Sequence, residues 1–549
     1  MYYFHTSIGG GVTGTETIIS AINNIEKILK KTNKTKPLKN QKVFFAIIDK
    51  NFKNVPGGVA YSESNARYGF FNNPIRLSPK EFTNWLLKVQ NKKLVINYLK
   101  KSGGFSGKIW LKANEKIFLS NKKKEIDELY MPRASLDFWL QERLYNLTKK
   151  IKKLKTSSKI DIDLHFLNGD VINIENIKKN YKKIIFKNNK YEKLIYKFEN
   201  EDRPKLILNR DKITNEPVYS ISQNIGLGLP PPKQLATPLA KKNKNYIWDF
   251  YAEGSTSILI KRIKSLYKNK KLVIYFIGYK AGLLESLPEL RSVIINNKIK
   301  MLIICSSNKL KSIQKAKLSI NKKKYQLLVL TNKNIKKIDT SIKLYSAILK
   351  EFEIAKTKGY KKYDAWTIIL KNRIINKCLK KFDNAEKIKY FNTYHHKIRN
   401  ITRFTYSKTI EAREKLSSSG ILITKKETVK KVDFKNRKLI VLAKNTRGSY
   451  KKYNCDIVVN VSGPLNVAKI SNEISLISSI KKMGANFSDV GFFVDKNFQI
   501  NGLNKIYSPS VISRGFNPGR ETIINAILKN SKTIGKNIAI NFKNNINIK

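Results

Sequence analysis

The residues that first suggest chemistry are three glycines near the start of the chain. Gly9, Gly11 and Gly14 have the spacing G-x-G-x-x-G, and Gly10 and Thr13 lie between them. In such a turn the first glycine makes a tight bend, the second lets the backbone approach a pyrophosphate, and the third lets a helix pack close to a strand. Free amide groups at the start of that helix then face the phosphates. The spacing therefore predicts a dinucleotide site.

The elements on either side of this turn are the ones that such a site needs. Residues 2–8 are rich in aromatic and β-branched side chains, which indicates a strand. Isoleucine or leucine recurs every three or four residues over 18–29, which indicates a helix. The apolar run 43–48 indicates a second strand, parallel to the first and buried on both faces. Together they predict a βαβ unit; the alternative is a glycine-rich turn in another α/β fold.

Asp49 directly follows the second predicted strand. A carboxylate at that strand end can accept hydrogen bonds from ribose hydroxyls. Asp49 lies farther from Gly14 than the usual spacing of about 20 residues between the motif and its acid. A polar link over 30–42, rich in lysine, asparagine and threonine, accounts for the excess.

The composition excludes several classes of protein. Hydrophobic residues make up 41% of the 549 residues, which is enough for a sizeable core and argues against a wholly disordered chain. Lys and Arg number 109 against 40 Asp and Glu, a formal net charge of +69. The lysines are spread along the chain beside asparagine and isoleucine, whereas a nucleic-acid-binding protein clusters them on one face. We expect no specific nucleic-acid partner, with a selected basic surface as the alternative, and a general attraction for anions.

The cysteines and the apolar runs bear on the cell compartment. Cys305, Cys378 and Cys455 are far apart, and no CxxC pair or His/Cys/carboxylate spacing suggests a metal site. They predict reduced thiols in a cytoplasmic protein. The sequence has no recognisable secretory leader, and no apolar run approaches the roughly 20 residues that span a bilayer. Nothing in the sequence indicates an oligomeric state.

A second unit of the same kind lies further along the chain. The apolar run 272–277 predicts a strand, Gly278 and Gly282 flank its turn, and a helix and the strand 301–305 follow. The middle glycine is replaced by Lys280, whose side chain should obstruct the approach of a pyrophosphate. The lysine could instead neutralise the phosphates as a point charge. With one of its three glycines replaced, the pattern predicts a degenerate nucleotide site.

The chain resembles the flavoproteins that have two dinucleotide-binding domains, and most of all the bacterial FAD/NAD(P)-binding proteins related to flavin-dependent N-hydroxylases. The matching stretches are scattered over most of the chain and are most specific near its start. They are residues 8–14, 56–61, 72–78, 130–133, 224–232, 246–249 and 459–464.

This resemblance implies an α/β fold in which a discontinuous Rossmann-like FAD-binding domain contains an inserted, degenerate NAD(P)-binding-like domain and a helical segment. The implied boundaries are 1–235 for the first part of the FAD-binding domain and 245–340 for the NAD(P)-binding-like domain. The helical segment is expected over 341–420, and the return to the FAD-binding domain over 421–549.

The resemblance also implies further cofactor-binding residues. In that family a Gly-Gly-x-Ala-Tyr loop and the asparagine-proline segment after it lie near the flavin, which assigns this role to Gly57, Gly58, Ala60, Tyr61, Asn73 and Ser78. Gly463, at a strand end, is expected to pass near the cofactor. Each of these residues could instead serve only the geometry of a turn. Ser78 is also the expected N-cap of the helix that Pro79 begins.

Two departures from the family pattern concern the cofactors. Residues 506–509 read Ile-Tyr-Ser-Pro where flavoproteins of this group often carry a Gly-Asp pair that touches the ribityl chain, although Gly515 and Gly519 could still approach the flavin. After the strand 301–305 come Ser306, Ser307, Lys309 and Lys311. Because no acid is present there to accept from a free 2′-hydroxyl, the sequence favours NADP(H) over NAD(H).

On these grounds we expect a soluble FAD-dependent oxidoreductase that NADPH reduces and that oxygenates a small metabolite such as an amine. No catalytic residue is assigned, because the flavin carries the redox chemistry and the protein supplies placement and electrostatics. The alternative is a flavin-binding scaffold or regulatory protein without turnover, which Lys280 and the missing Gly-Asp pair would explain.

Replacement of Lys280 by glycine tests the second turn. If the ammonium lies against the start of the following helix, whose partial positive charge repels it, Lys280→Gly should improve NADPH binding, and this is the outcome we expect. If the lysine meets the phosphates as a point charge, the variant should bind NADPH more weakly, above all at low salt. Dissociation constants for NADPH at two salt concentrations distinguish the two, and a loss of affinity would contradict our expectation.

Overall fold

The computed structural model describes most of the chain. The described residues are 1–32, 41–158, 160–177, 181–200, 203–228, 230–267, 271–279, 281–307, 314–315, 319, 324–402, 404–463, 474–488, 491–509, 513 and 523–546.

The helices of these ranges are α1 (Val12–Thr32), α2 (Gly58–Tyr61), α3 (Lys80–Leu86), α4 (Val89–Ser102), α5 (Gly104–Leu119), α6 (Lys123–Ile126), α7 (Ala134–Ser158), α8 (Pro238–Lys242), α9 (Ser255–Leu266), α10 (Ala281–Asn296), α11 (Asn332–Ile335), α12 (Ser341–Thr357), α13 (Lys362–Lys371), α14 (Ile374–Leu379), α15 (Asn384–Lys389), α16 (His395–Ile401), α17 (Ser407–Ser418), α18 (Ser475–Lys482) and α19 (Ile523–Ile546). Single 3₁₀ turns lie at Phe52–Asn54, Ile75–Leu77 and Lys187–Asn189, and a π turn at Tyr390–Tyr394. None of the helices described is both long enough and apolar enough to cross a bilayer.

The strands are β1 (Tyr2–Ile8), β2 (Gln41–Asp49), β3 (Ile160–Asn168), β4 (Val171–Asn176), β5 (Lys182–Phe186), β6 (Tyr191–Glu199), β7 (Lys205–Thr214), β8 (Val218–Ile225), β9 (Tyr246–Ile247), β10 (Leu272–Ile277), β11 (Met301–Ser306), β12 (Gln314–Lys315), β13 (Phe404–Thr405), β14 (Leu422–Lys425), β15 (Glu427–Lys435), β16 (Lys438–Asn445), β17 (Tyr450–Cys455), β18 (Ile457–Asn460), β19 (Phe487–Ser488), β20 (Gly491–Phe492) and β21 (Ile506–Tyr507).

The first sheet has β1 near its centre. Its strands lie in the order β4-β5-β8-β1-β2-β3-β6-β7, with β21 beside β8. Strands β8, β1, β2 and β3 run parallel, and the strands at both sides of them are antiparallel. The register aligns Ile8 of β1 with Ile48 of β2 and with Ile225 of β8. The carboxyl ends of these three strands therefore meet at one edge of the sheet, where α1 begins.

The second sheet is entirely parallel, with the strand order β14-β11-β10-β18-β9. Successive side chains of a strand point to opposite faces, and Phe276 and Tyr275 of β10 accordingly lie in two separate cores. Phe276 packs with helices α9, α10 and α17. Tyr275 packs with the antiparallel sheet β15–β17. The second sheet is thus covered on both faces.

The first sheet with its parallel centre, the parallel second sheet and the helical segment confirm the expected α/β class. The return of the chain to the first sheet differs from the expected boundary at residue 421. Strands β14 and β18 lie in the second sheet and β15–β17 pack on it. Among the described residues that follow, helix α18 packs on the first sheet through Leu476 and Ile477, and β21 pairs with β8. Short apolar strands of this kind fit either sheet, and packing against distant neighbours decides which one they join.

The helical segment has a core of its own, formed by helices α12 to α16 together with the chain before α11. Leu344, Ile348 and Ile369 are fully buried in it. Helix α17 does not belong to this core, because Ile410 and Leu416 pack with the helices of the second sheet. The segment expected over 341–420 therefore ends, as a packing unit, before α17.

Helix α1 is the most enclosed helix at the edge where the glycine turn lies. Ile18, Ile22 and Ile25 are fully buried between the first sheet, α7 and α19. The C-terminal helix α19 approaches α1 so closely that a Cβ on Gly535 would lie 2.5 Å from the Cβ of Ser20. The placement of α1 behind the turn therefore depends on the far end of the chain.

A large side chain at Gly535 should separate α19 from α1. We expect Gly535→Leu to lower the free energy of unfolding by about 1–3 kcal/mol, because an overpacked contact forces side chains and backbone apart. Urea denaturation followed by circular dichroism measures this. Lys536→Leu, an exposed position on the same helix, is the matched control and should change little; equal stability of the two variants would contradict the packing described.

Candidate functional site

The first glycine turn is a tight bend at the carboxyl end of β1. Gly9 has a φ of +102°, which side chains rarely tolerate, and its amide donates to the carbonyl of Ile48 at 2.7 Å. On its other side Gly9 meets the chain after β8, where a Cβ would lie 2.6 Å from the Gly226 oxygen. The Gly226 amide in turn donates to the carbonyl of Ile8 at 2.7 Å. The turn is thus held by both strands that flank β1.

Gly14 brings the start of α1 against the bend. A Cβ at this position would lie 2.0 Å from the carbonyl oxygen of Gly9, so no other residue fits without moving the helix. The Gly14 carbonyl accepts from the Ser7 hydroxyl at 3.1 Å, which links the start of the helix to the end of strand β1. The role that the sequence predicts for the third glycine, close packing of helix and strand, agrees with this geometry.

The amide groups of Gly11, Val12, Thr13 and Gly14 have no hydrogen-bond acceptor within the described part of the chain. They are the orphan donors that every helix N-terminus presents. Their partial positive charge adds to the dipole of the 21-residue helix α1. Unpaired backbone donors are costly unless water or a ligand accepts from them, so this end of α1 is suited to a phosphate group.

Asp49 lies at this turn, as the sequence predicts. One carboxylate oxygen accepts from the Gly10 amide at 2.7 Å, and the other accepts from the Asn51 amide at 2.8 Å. Burial raises the pKa of Asp49 above its ordinary value, while the amides of Asn51 and Gly10 oppose that rise. Each oxygen keeps a second lone pair, so the carboxylate can still accept from a ribose hydroxyl.

The loop that carries Gly57 and Gly58 lies against the first glycine turn. A Cβ on Gly11 would lie 3.2 Å from the Cα of Gly58, so these two residues without side chains pack directly against each other. Helix α2 starts at Gly58 and includes Ala60 and Tyr61. Tyr61 packs on Phe71, with ring centroids 5.8 Å apart. The structure thus brings the Gly57–Tyr61 stretch to the turn, while the contact of these residues with a flavin stays a prediction.

Asp137 anchors this loop and was not singled out by the sequence. Its side chain is almost fully buried, and one oxygen accepts from the Glu63 amide at 2.9 Å and from Gln141 at 3.2 Å. The other oxygen has no hydrogen-bond partner in the described residues and faces Gly57, whose Cβ would lie 2.6 Å away. Burial raises the pKa of Asp137 to about 7, against the amide hydrogen bonds that oppose the rise.

Asn73 and Ser78 lie outside this cluster. They belong to a segment that pairs with the chain before α7, where the Phe71 amide donates to Met131 at 2.9 Å. Neither side chain hydrogen-bonds to the glycine turn. The expectation that Ser78 caps a helix is wrong, because α3 begins at Lys80 with Pro79 at its N-cap and no side-chain cap. Ser78 instead directly follows the 3₁₀ turn Ile75–Leu77. The amide of Ser78 donates to the carbonyl of Ile75 at 2.8 Å.

The second glycine turn repeats the geometry of the first. Gly278 has a φ of +105°, and its amide donates to the carbonyl of Ser306 at 2.8 Å, as the Gly9 amide does to Ile48. A Cβ on Gly278 would lie 2.6 Å from the Cα of Ser462, just as a Cβ on Gly9 would lie 2.6 Å from the oxygen of Gly226. Gly463 is the residue directly after Ser462. Gly282 packs on Val461, whose Cγ1 would lie 2.8 Å from an added Cβ.

Several predicted positions lie outside the described residues. They are Lys280, the middle residue of the second turn, Lys309 and Lys311 after β11, and Gly515 and Gly519 near the C-terminus. The end of β11 itself is described: Ser306 accepts from the Gly278 amide as Ile48 does from the Gly9 amide, so the next residue, Ser307, stands where the first turn has Asp49. The described residues contain no group of His, Cys, Asp and Glu side chains able to hold a metal ion.

No model of a known protein family matches the chain, and no curated protein matches its sequence. Solved structures do. The reduced form of the ornithine hydroxylase PvdA from Pseudomonas aeruginosa is 11% identical, covers 99% of this chain and 100% of its own, and has a TM-score of 0.50. The ornithine N-hydroxylase KtzI from Kutzneria sp. 744, with reduced FAD, NADP⁺ and L-ornithine, is 9% identical at the same coverages and TM-score. At this identity the likeness establishes the fold, and it confirms the resemblance seen in the sequence.

The buried Asp137 should make stability depend on pH. Because its pKa is raised from 3.8 to about 7, the folded state favours the protonated acid, and stability is lost as pH rises through about 7. One such group contributes at most about 1.4 kcal/mol per pH unit. We expect Asp137→Asn to flatten the decline of unfolding free energy between pH 5 and 8 relative to the unmodified protein.

The control for this experiment is Asp339→Asn, an exposed carboxylate beside Lys343 whose pKa is lowered and which titrates below this range. Its pH dependence should equal that of the unmodified protein. Denaturation curves at four pH values measure all three proteins. If Asp137→Asn declines as steeply as the control, the carboxylate is ionised throughout and the assigned pKa is wrong.

Proposed function

We propose that the chain is an FAD-dependent oxidoreductase whose flavin is reduced by NADPH. The observation that carries this proposal is the first glycine turn, where four unpaired amides at the start of a long helix lie beside Asp49. Two further facts support it: the fold is shared with ornithine hydroxylases over nearly the whole chain, and one of those was solved with reduced FAD and NADP⁺.

The residues at the first turn fit the parts of FAD in order. The amides of Gly11 to Gly14 would hold the pyrophosphate, since they are oriented donors without an acceptor among the described residues. Asp49 would accept from the ribose. Because neither Gly11 nor Gly58 has a side chain, only backbone borders the start of α1 on this side. Bound there, FAD would supply the redox chemistry, which no protein side chain provides.

The second turn is the proposed site of NADP(H). Gly278 has the same backbone conformation and the same strand contact as Gly9, and α10 begins directly after the turn. The place of Asp49 is taken by Ser307, directly after β11. A serine there neither repels a 2′-phosphate nor selects a free 2′-hydroxyl, which favours NADP(H). Lys280, by its sequence position, argues against close approach of the pyrophosphate.

A small amine is the proposed class of substrate, and it rests on the fold likeness to ornithine hydroxylases alone. A narrow cleft lies between helix α10 and the chain before α7. It is lined by Phe70, Asn72, Ser106, Glu285 and Tyr406. Its volume of about 20 Å³ holds roughly one water molecule. A substrate of amino-acid size would need this cleft to widen.

A flavin-binding scaffold without turnover is the second candidate. It is favoured by Lys280 in the second turn and by the Ile-Tyr-Ser-Pro sequence at 506–509 in place of the Gly-Asp pair. Strand β21, which contains Ile506 and Tyr507, pairs with β8 beside Gln223 and Asn224. The chain therefore passes the carboxyl end of β8 there without an acid. The two candidates share FAD binding and differ in whether NADPH reduces the flavin.

Gly11→Val tests FAD binding without a severe change of fold. The added side chain would point towards Gly58. A Cβ alone would already make a tight contact there, 3.2 Å from the Gly58 Cα. We expect the unmodified protein, purified and reconstituted with excess FAD, to keep visible flavin absorption after gel filtration, and Gly11→Val to lose at least about 90% of it, since backbone approach to the pyrophosphate is blocked.

Gly228→Val is the matched control, because a Cβ at Gly228 meets no atom within 4 Å. It should retain FAD like the unmodified protein, and circular dichroism should show both variants folded. If the unmodified protein shows no flavin after reconstitution, the proposed function is wrong. If Gly11→Val retains FAD fully, the cofactor binds elsewhere.

A further inference from the structure

We call the chain before residue 236 the first unit, and the second sheet with its helices the second unit. Helix α10, which follows the second glycine turn, is fixed to the first unit at two points one helical turn apart. The first point is the pair of Glu285 with Arg133, and the second is Glu289 with the amides of Phe105 and Ser106. We call these two contacts together the α10 clamp. Both glutamates come from α10, and Arg133, Phe105 and Ser106 come from the chain before residue 140. Glu285 has the Tyr251 side chain as a further hydrogen-bond partner.

The Arg133–Glu285 contact is a two-pronged ion pair. Both terminal nitrogens of the guanidinium donate to the carboxylate, one of them to Oε2 at 3.3 Å. Arg133 is itself held in place, since its Nε donates to the Phe70 carbonyl at 3.0 Å. The side chains are only 11% and 15% exposed. Burial by itself would lower the pKa of Arg133, but Glu285 outweighs burial and raises it. Burial raises the pKa of Glu285 as well, and Arg133 opposes that rise.

The Glu289 contact supplies a helix cap from a distant part of the chain. Helix α5 has Gly103 at its N-cap and therefore no side-chain cap of its own. Glu289 accepts from the Ser106 amide at 2.7 Å and from the Phe105 amide at 3.2 Å, and it is 7% exposed. A carboxylate at this end of a helix is favourable because it pairs orphan amides and opposes the helix dipole.

Gly104 shows that the fit is close. A Cβ at Gly104 would lie 2.8 Å from one carboxylate oxygen of Glu289 and 3.0 Å from the other, and 2.5 Å from the ring of Tyr68. The pair Gly103-Gly104 thus leaves room for a carboxylate from the second unit. Nearby, Asn65 donates to the Tyr251 carbonyl at 3.0 Å, a further link between the two units.

We infer that Glu285 and Glu289 are positioning residues that hold the second glycine turn in one fixed relation to the first. The inference rests on the proposed function, because only two nucleotide sites give that relation a purpose. Glu285 lies one turn, about 6 Å along the axis, beyond Ala281 where α10 starts. Any movement of the clamp is therefore passed directly to the Gly278–Gly282 turn.

The clamp implies that NADPH would reduce the flavin without a large rotation of the second unit. A rotation would break the two-pronged ion pair and the two amide hydrogen bonds of Glu289 together, so both contacts favour this one arrangement. Small errors in the distance between reacting groups slow a reaction far more than they weaken binding. Loosening the clamp should accordingly change the rate of reduction more than the affinity for NADPH.

Glu289→Gln and Gly104→Ala test the inference from both sides of the second contact. A glutamine loses the charge and can accept only with its single carbonyl oxygen. An alanine at Gly104, whose φ is +58°, strains the backbone and presses on the Tyr68 ring as well as on the carboxylate. Asp339→Asn, which removes an exposed pair with Lys343, is the control. Two quantities are measured on the FAD-loaded proteins: hydrogen exchange at Phe105, Ser106 and residues 278–282, and anaerobic stopped-flow reduction over a range of NADPH concentrations.

In both variants we expect exchange at Phe105 and Ser106 to accelerate about tenfold, as for a lost helix cap. The limiting rate of flavin reduction should fall by about tenfold to a hundredfold, while the NADPH dissociation constant changes by less than about threefold, since neither residue lies in the turn. FAD retention and the control variant should match the unmodified protein.

Unchanged exchange at Phe105 and Ser106 in both variants would overturn the inference, because the carboxylate would not hold α5. Faster exchange with an unchanged limiting rate would overturn it too, since the clamp would then stabilise without positioning. If the flavin of the unmodified protein is not reduced by NADPH, the proposed function fails, and exchange at residues 278–282 decides on the clamp. Faster exchange there in Glu289→Gln supports it, and equal exchange contradicts it.

Discussion

The contact between Gly14 and the carbonyl of Gly9 is the constraint on which the first site depends. A Cβ at Gly14 would lie 2.0 Å from that oxygen, so α1 can start this close to β1 only without a side chain there. The start of α1 is thereby held where three parallel strands end, with four amides that have no acceptor in the described residues. These amides suit a negatively charged group, and the Asp49 carboxylate beside them can accept from a hydroxyl group of the same ligand.

The same constraint returns in the second unit, and the α10 clamp relates the two. Gly278 has nearly the φ of Gly9 and makes the corresponding strand contacts. A repeated turn alone leaves the distance between two sites undefined. The contacts of Glu285 with Arg133 and of Glu289 with the start of α5 define it, because a change in that distance would break both contacts together.

The sequence predicted what neighbouring residues determine and missed what distant ones determine. The turn Gly9–Gly14, α1 and Asp49 follow from local spacing and periodicity, and the structure brings them together. Asp137 and Glu289 carry no such signal, because their partners lie 74 and 183 residues away in the chain. The sequence did not show that β14 and β18 join the second sheet, for the same reason. Ser78 does not cap a helix because it ends a local 3₁₀ turn.

The central claim is that FAD at the first turn accepts electrons from NADPH at the second. Anaerobic mixing of the FAD-loaded protein with NADPH, followed by visible absorption, tests it most directly. The account predicts that the flavin absorption bleaches with NADPH, and more slowly with NADH at the same concentration. Flavin that binds but stays oxidised with both nucleotides would contradict the account and would identify the chain as a flavin-binding protein without turnover.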